Sequence, residues 1–354
     1  MDVKSNPEPA SILRPRKNIL PIIQPGTGNP EPETFAPMSV SLHNITRMFY
    51  LEPIALEEST MLSLHSVLWP RITGTGLEGL DIAAAAAEGN TKPIKAASLP
   101  HARKTTLTPS YAPGSNAVVD PRYYYTAEGA PGTAILPVSG MIMKSATPFQ
   151  ESCYGVVSTD RIGFALQQAV ADKTVKNIVF DFNSPGGQVT GIAELANLIQ
   201  GATQVRGKTV YGFTDTMAAS AAYWLASQCD EIITTGSGQL GSIGTYLAFL
   251  NEKVKMQTSG VSLELFKSGT HKGLGLPGND LTQQDRSYLQ ARVDDLNSQF
   301  VAAVQSGRPK ISKDGVTHAA MYPGTCTSPG GSSINHGLAD GLVSSFDEFM
   351  SLLS

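Results

Sequence analysis

Apolar runs of strand length alternate with segments of helical periodicity from about residue 133 onwards. The strand-like runs, rich in β-branched and aromatic residues, are 133–142, 178–182, 208–213 and 231–235. Helical periodicity occupies 159–171, 192–199 and 221–227. Because strands that alternate with helices at this spacing usually form parallel βαβ units with right-handed crossovers, the pattern predicts an α/β fold class.

The last third of the chain carries the longest helical pattern. A helix is predicted over 281–304, where one apolar stripe contains Leu289, Val293, Leu296, Phe300 and Val304. Such a helix either covers the core or makes an oligomer contact. Residues 261–266 alternate apolar and polar positions and predict another strand, and a small α/β unit, 311–318 and 334–343, follows the helix.

The N-terminal part differs in composition and predicts separate regions. Residues 1–37 are rich in proline and polar residues, which indicates an extended or disordered arm. Residues 38–72 predict a small helical unit whose apolar face contains Leu56, Met61, Leu64 and Leu68. Residues 73–132 are typical of an exposed linker, although a run of tyrosines at 123–125 is expected at a strand edge or a subunit contact. The main α/β domain is therefore predicted to be 133–354.

Composition excludes several classes of function. The 354 residues are 41% hydrophobic and 16% charged, with a formal net charge of −4, so a general nucleic-acid binder is not expected. Three cysteines and six histidines lie scattered, which predicts reduced thiols in a cytoplasmic protein and no metal site. We also expect no cofactor, because no phosphate-binding loop is present, and neither a membrane span nor a signal peptide.

One hydroxyl stands at the junction of a predicted strand and a predicted helix. Ser220 lies in Thr-Asp-Thr-Met-Ala-Ala-Ser-Ala-Ala-Tyr-Trp, among small apolar neighbours. The unpaired N–H groups at the start of a helix favour negative charge, so Ser220 is a candidate nucleophile. The alternative interpretation is that small residues here only allow the helix to pack closely against a sheet.

Two other stretches supply the further groups that a serine nucleophile needs. Asn-Ser-Pro-Gly-Gly ends at Gly187 after a buried-type strand, and its backbone N–H groups suit an oxyanion hole, although a plain tight turn has the same composition. A lysine can act as the base where burial keeps its amine neutral. Within Lys-Ser-Gly-Thr-His-Lys the candidate is Lys272, with His271 and Lys267 as competitors.

These stretches occur together and in order, and with Gly-Ser-Ile-Gly at 241–244 they resemble the signal-peptide-peptidase-A-like family of serine peptidases. The resemblance covers roughly 134–349. It implies that Ser220 is the nucleophile and that Lys272, which lies 52 residues downstream, is the general base. It further implies that Ser242 orients the lysine and that the backbone N–H groups of Gly187 and Ala221 form the oxyanion hole. Ala221 and Ala222 stand where many cellular members have two glycines, a change that leaves the backbone donors in place.

The same resemblance implies a Clp-protease/crotonase-like α/β fold with a repeated ββα/βαβ core and a ring-shaped homo-oligomer. The proline-rich arm and the small N-terminal unit are similar to the phage capsid-maturation branch. That branch implies an endopeptidase that acts in the host cell inside a prohead, on scaffold, portal or coat proteins and on itself. The alternatives are a cellular peptidase for signal-peptide remnants or protein quality control, and a non-catalytic assembly or scaffolding protein with the same fold. A crotonase-like acyl-CoA enzyme is disfavoured, because no adenine or phosphate pocket is recognisable.

Overall fold

The computed structural model describes residues 54–56, 105–106, 124–127, 130–147, 150–151, 155–327 and 330–354, all within one compact unit, Ser41–Ser354. The strands are β1 Ile54–Leu56, β2 Thr105–Thr106, β3 Tyr125–Ala127, β4 Ala130–Ser139, β5 Met141–Met143, β6 Val156–Ser158, β7 Asn177–Ser184, β8 Gly186–Gln188, β9 Thr209–Ala219, β10 Glu231–Thr235, β11 Gln239–Gly241, β12 Met321–Pro323 and β13 Gly341–Val343. The helices are α1 Thr159–Ala171, α2 Ile192–Thr203, α3 Ala221–Ala226, α4 Lys253–Thr258, α5 Gln283–Gly307, α6 Lys313–Thr317 and α7 Phe346–Leu352.

The larger sheet has the strand order β12-β11-β9-β7-β4-β3-β2, with β10 beside β9 and β13 beside β10. The pairs β4–β7, β7–β9, β9–β10, β9–β11 and β10–β13 are parallel, whereas β2, β3 and β12 join in antiparallel pairs. This mixed α/β architecture confirms the predicted fold class, because the parallel strands come from the strand-helix alternation.

A second, smaller sheet has the order β1-β8-β5-β6 and begins where strands of the larger sheet end. A single residue, Gly140, separates β4 from β5, and Pro185 separates β7 from β8. Gly140 has φ 85°, and a Cβ atom there would lie 1.8 Å from the Gly155 carbonyl oxygen, so only glycine allows this change of direction. Two neighbouring strands thus cross into the second sheet at the carboxyl edge of the first.

The two faces of the larger sheet carry separate apolar clusters, because successive side chains of a strand alternate between faces. In β7, Ile178 and Phe180 belong to one cluster, which also includes buried residues of α1, α2, α3 and α5. Val179 belongs to the other cluster, to which α7 contributes Phe346 and Phe349. The helices that surround the Ser220 region therefore lie on one face, and α7 covers the opposite face.

Several predicted elements are confirmed and others need correction. Helix α1 and strand β10 have the predicted bounds, and α5 begins two residues later and ends three residues later than predicted. The predicted strand at 261–266 is wrong: these residues are exposed and form no strand, because no neighbouring strand pairs with them. Leu56, expected on a helix, ends β1, and the other positions of that predicted helical face lie outside the described residues. Strand β3 and the start of β4 lie within the range predicted as a linker.

No helix among the described ranges is both long and apolar enough to cross a membrane. Helix α5, the longest of them, has only Asp285, Phe300 and Val304 fully buried, so its C-terminal part covers the core while its N-terminal part is largely exposed.

The contact between α5 and α3 is a face-to-face stack of Phe300 on Trp224, with ring centroids 4.8 Å apart and planes within 8°. We expect Phe300→Ala to lower the free energy of unfolding by about 3–5 kcal/mol, because it leaves a cavity beneath Trp224. Urea unfolding followed by tryptophan fluorescence measures this loss. Leu289→Ala, on the half-buried part of the same helix, should cost clearly less. Equal losses for the two variants would contradict the role of the stack.

Candidate active site

Ser220 lies directly after the longest strand of the larger sheet and directly before α3. Strand β9 is held by β7 on one side and by β10 and then β11 on the other. All six residues of α3 are buried, so the helix cannot shift without disturbing the core. The sequence prediction of a serine at a strand-helix junction is therefore correct in its local geometry.

The backbone of Ser220 is strained and fixed on both sides. Its φ of 54° and ψ of −121° fall outside the usual regions for a residue with a side chain. The N–H of Ser220 donates to the Gly241 carbonyl at 2.8 Å, and its carbonyl accepts from the Trp224 N–H at 2.9 Å. Strain of this kind costs on the order of 1–3 kcal/mol and persists only where the surroundings enforce it, which is typical of functional residues.

Strand registers bring three predicted site segments to the same level. In the β7–β9 ladder Ser184 is opposite Ala218, and in the β9–β11 ladder Gly241 is opposite Ala219. Gly186, Ser220 and Ser242 each follow these paired positions within two residues. The Pro-Gly-Gly turn, the candidate nucleophile and the Gly-Ser-Ile-Gly segment thus meet at the carboxyl edge of the parallel strands, where open α/β sheets usually bind ligands.

Ser184 has a positioning role that the sequence analysis missed. Its hydroxyl donates to the Gly140 carbonyl at 2.6 Å and accepts from the Gly186 N–H at 3.2 Å. Ser184 is fully buried. Its two hydrogen bonds connect the chain crossing at Gly140 with the crossing that precedes Gly186. The only signal in the sequence was a serine immediately before Pro-Gly-Gly, which is also common in ordinary turns.

The two backbone groups assigned to the oxyanion hole differ in their surroundings. Ala221 is the first residue of α3, where N–H groups have no partner within the helix. Gly187 is buried in β8, between β5 and β1, and a Cβ atom at this position would lie 2.0 Å from the Ile142 carbonyl oxygen. The second glycine of the motif is therefore required by the close approach of two backbones.

Ser242 lies beside Ser220 and has a similarly unusual backbone. Its φ is 53°, its N–H donates to the Ala320 carbonyl at 2.8 Å, and it is 8% exposed. Among the described residues no hydrogen bond joins its side chain to Lys272. Its predicted role in orienting the lysine stays a prediction.

Among the described residues, no hydrogen bond joins Lys272 to the candidate nucleophile. It lies in an exposed turn, where its N–H donates to the Gly269 carbonyl at 3.3 Å. The Ser220 hydroxyl instead makes a long hydrogen bond, 3.5 Å, to the Gly244 carbonyl. The strand registers thus bring together the candidate nucleophile, the glycine turn and Ser242, and no described hydrogen bond connects the candidate base to them.

His271, a competitor for the base, has a different partner. Its Nδ1 lies 3.1 Å from a carboxylate oxygen of Asp285, and its ring stacks on Tyr288 at 4.1 Å. Hydrogen bonds from the Thr282 hydroxyl and backbone, and from His271, hold the pKa of Asp285 at about 2. His271 therefore anchors the loop next to Lys272 to the start of α5. Lys267, the other competitor, donates to the Thr270 carbonyl at 2.9 Å.

Cys229 and the described metal-ligating side chains are the other candidate sources of chemistry. Cys229 is 4% exposed, and burial raises the pKa of its thiol, which disfavours the nucleophilic thiolate. In the described segments no group of three or more histidine, cysteine, aspartate or glutamate side chains is arranged to hold a metal ion.

A cavity of about 780 Å³ adjoins the candidate nucleophile, because Gly244, which accepts from the Ser220 hydroxyl, is part of its wall. Val293 and Val316 supply apolar surface, and the Asn297 side-chain oxygen is buried without a hydrogen-bond partner in the described part of the chain. The cavity therefore offers room and apolar surface for a substrate side chain.

Ser220→Gly tests the strain at the candidate nucleophile. Glycine adopts a positive φ without a Cβ penalty, so this variant should be more stable than Ser220→Ala by about 1–2 kcal/mol. Thermal unfolding of the two variants measures the difference. Ala218→Gly, in the regular part of β9, should destabilise the protein instead. A Ser220→Gly variant no more stable than Ser220→Ala would show that the backbone is unstrained.

The part of the chain that carries this geometry is similar to known proteins. Residues 202–345 match the family model described as Peptidase family S49, a range that contains Ser220 and Lys272. The chain is 34% identical over 218 residues to capsid assembly protease C of Escherichia phage lambda and 33% identical over 223 residues to head-tail preconnector protein GP5 of Enterobacteria phage P21. Each alignment covers 61% of this chain, but only 47% and 42% of the two phage proteins, so the chain spans less than half of their length. Protease 4 of Haemophilus influenzae is 29% identical over 194 residues, 53% of this chain and 29% of that protein. Residues 202–345, and with them the candidate nucleophile and the candidate base, are thus similar to Peptidase family S49.

Proposed function

We propose that this chain is a serine endopeptidase with a Ser220–Lys272 dyad, and that it cleaves scaffold, portal or coat proteins, and itself, during phage capsid maturation. The observation that carries the proposal is the strained, fully buried Ser220 at the carboxyl edge of the sheet, level with the Pro-Gly-Gly turn. A serine that only lets a helix approach a sheet does not require such a backbone.

In the proposed reaction Lys272 acts as the general base: its amine takes the proton of the Ser220 hydroxyl while the oxygen attacks a peptide carbonyl. The backbone N–H groups of Gly187 and Ala221 hold the resulting oxyanion, and loss of one such donor typically costs on the order of 10²–10³ in rate. As the carbon–nitrogen bond breaks, Lys272 delivers its proton to the leaving amine. Water then hydrolyses the acyl-enzyme, again with Lys272 as the base, with Ser242 orienting its amine.

The choice of a phage capsid protease over a cellular peptidase is supported by the two phage relatives. They align at higher identity and over more of this chain than Protease 4 does, 61% against 53%. The proposed place of action is accordingly the host cell, inside a prohead. The proposed core is of the Clp-protease/crotonase type; its support is the series of parallel strands that cross into a second sheet. Residues 133–354 would form the catalytic domain, and the preceding 1–37, 38–72 and 73–132 the arm, the small unit and the connection.

Intact-mass analysis of the wild type, Ser220→Ala and Lys272→Ala, each incubated alone and with unfolded casein, tests the dyad. We expect cleavage by the wild type only, because loss of a nucleophile typically lowers kcat by on the order of 10⁶. Lys267→Ala is the matched control, since its amine is bound to a neighbouring carbonyl, and it should cut like the wild type.

Cleavage by Ser220→Ala at the wild-type rate would contradict the proposal.

A second candidate function is that of a non-catalytic assembly protein on the same fold. It is favoured by the missing hydrogen bond between Lys272 and Ser220 among the described residues. It predicts that neither casein nor the chain itself is cut, even at protein concentrations at which the chain assembles.

We also propose that the chain works as a homo-oligomer. The support is an apolar surface on the segment 254–276, in which large side chains face solvent although much of this segment is irregular. Phe266 is 92% and Val254 75% exposed. The other members of this surface are Val261, Leu263, Leu265 and Leu276. Exposed apolar patches of this kind commonly mark protein contacts, and this one lies on the segment that carries Lys272.

Phe266→Asp should weaken this assembly, because it buries a charge without a partner at the subunit contact. Sedimentation velocity over a range of concentrations measures the shift towards the monomer. Leu352→Asp is the matched control, since Leu352 is 70% exposed but lies in α7, on the opposite face of the larger sheet. If both variants sediment like the wild type, the 254–276 surface is not a subunit contact.

A further inference from the structure

A short segment from the N-terminal part of the chain forms the outer strand of the smaller sheet. Strand β1, Ile54–Leu56, pairs antiparallel with β8, so that Ile54, Ala55 and Leu56 are opposite Gln188, Gly187 and Gly186. The other edge of β8 is paired with β5, where Ile142 is opposite Gly187. Because two of the three β8 residues are glycines, β1 is held there through backbone pairing.

This strand lies beside the candidate nucleophile. Strands β7 and β9 are parallel, with Ser184 opposite Ala218, and Gly186 and Ser220 each come two residues later. Strand β8 also packs against α3, the helix that begins at Ala221. The centre of the β1 ladder is Gly187, the residue proposed to stabilise the oxyanion. Any chain paired at this edge therefore passes the reaction centre.

A peptide can add to a sheet only where an edge strand has unpaired backbone groups. On β8 the β5 edge is filled by the fold itself and the β1 edge is filled by residues 54–56. A substrate strand and β1 therefore compete for the same edge. In agreement with an occupied site, Ser220 is completely buried, and Gly186 and Gly187 are buried as well.

We propose that Ile54–Leu56 is an intramolecular occupant of the substrate-strand site, and that an extended polypeptide binds by displacing it and running antiparallel to Gly186–Gln188. This inference rests on the proposed function for the meaning of the site, but the strand exchange itself is independent of catalysis. A three-residue ladder is short, and 129 residues separate Leu56 from Gly186, so a longer substrate strand can replace it without unfolding the core.

The first test measures binding without catalysis, in full-length Ser220→Ala protein. The probe is a fluorescein-labelled peptide with the sequence of residues 51–59, and its affinity is measured by fluorescence anisotropy. Adding Ala55→Pro and Leu56→Pro removes two adjacent N–H donors, one of which must face β8, because neighbouring residues of a strand point to opposite edges. We expect the proline variant to bind the probe at least about tenfold more tightly than the Ser220→Ala parent, because the site is vacant in a larger fraction of molecules.

The matched control is Ala55→Ser with Leu56→Val, which changes the same two side chains and keeps both N–H groups. It should bind like the parent. If the proline and control variants bind the probe equally, whether strongly or not at all, β1 does not occupy the site and the inference is wrong.

A second variant locks the segment in place and does not depend on the proline variant's folding. Ile54→Cys with Gln188→Cys places two cysteines directly opposite each other, a separation at which a disulfide forms. In the active protein, casein hydrolysis should fall at least about tenfold on oxidation and return on reduction. The reason is that cross-linked molecules cannot release β1 and so cannot bind a substrate strand. Unchanged hydrolysis in a protein shown by mass to be cross-linked would overturn the inference.

The two proposals fail in different ways. If no variant cuts casein but the proline variant gains affinity for the probe, the strand exchange stands and the peptidase assignment falls. If the wild type cuts casein and neither the prolines nor the cross-link changes binding or rate, the peptidase assignment stands and the role of β1 falls.

Discussion

The hydrogen-bonded register of three parallel strands is the constraint on which the candidate site depends. Ser184 is opposite Ala218 and Gly241 is opposite Ala219, so the three strands end within one residue of the same level and the segments that follow them lie side by side. The fully buried helix α3 then prevents Ser220 from relaxing its backbone. The strand register brings the three segments close together, and the packing of α3 holds the Ser220 backbone in its strained conformation. Both effects are present without a substrate.

Much of this arrangement could be predicted from the sequence, because it arises from local patterns. Helix α1 and strand β10 follow from periodicity over a single segment, and Ser220 was recognisable as a small polar residue between a strand and a helix. The features that escaped prediction depend on distant partners. Residues 54–56 carry no alternating pattern and form β1 because β8, far along the chain, pairs with them. Residues 261–266 do alternate, but no described strand pairs with them. The role of Ser184 could not be predicted either, because it depends on a hydrogen bond to Gly140, which lies 44 residues away in the sequence.

The groups of the candidate site are held in place in two different ways. Ser220, the candidate nucleophile, lies between a strand and a buried helix, and the glycine turn joins two strands. Lys272 lies on an exposed segment that the His271–Asp285 contact anchors to α5. The candidate site therefore combines groups that the sheet and α3 fix directly with a candidate base whose segment is held to the rest of the structure by a side-chain contact.

The separation of the two apolar clusters has a practical consequence for handling the protein. Helix α7 packs around Phe213, in the first half of β9, on the face opposite to the helices beside Ser220. A fluorescent label attached to the exposed Leu352 of α7 therefore lies on the face opposite to the helices beside the candidate site. A label attached at Ile54 would instead lie on the strand that borders this site.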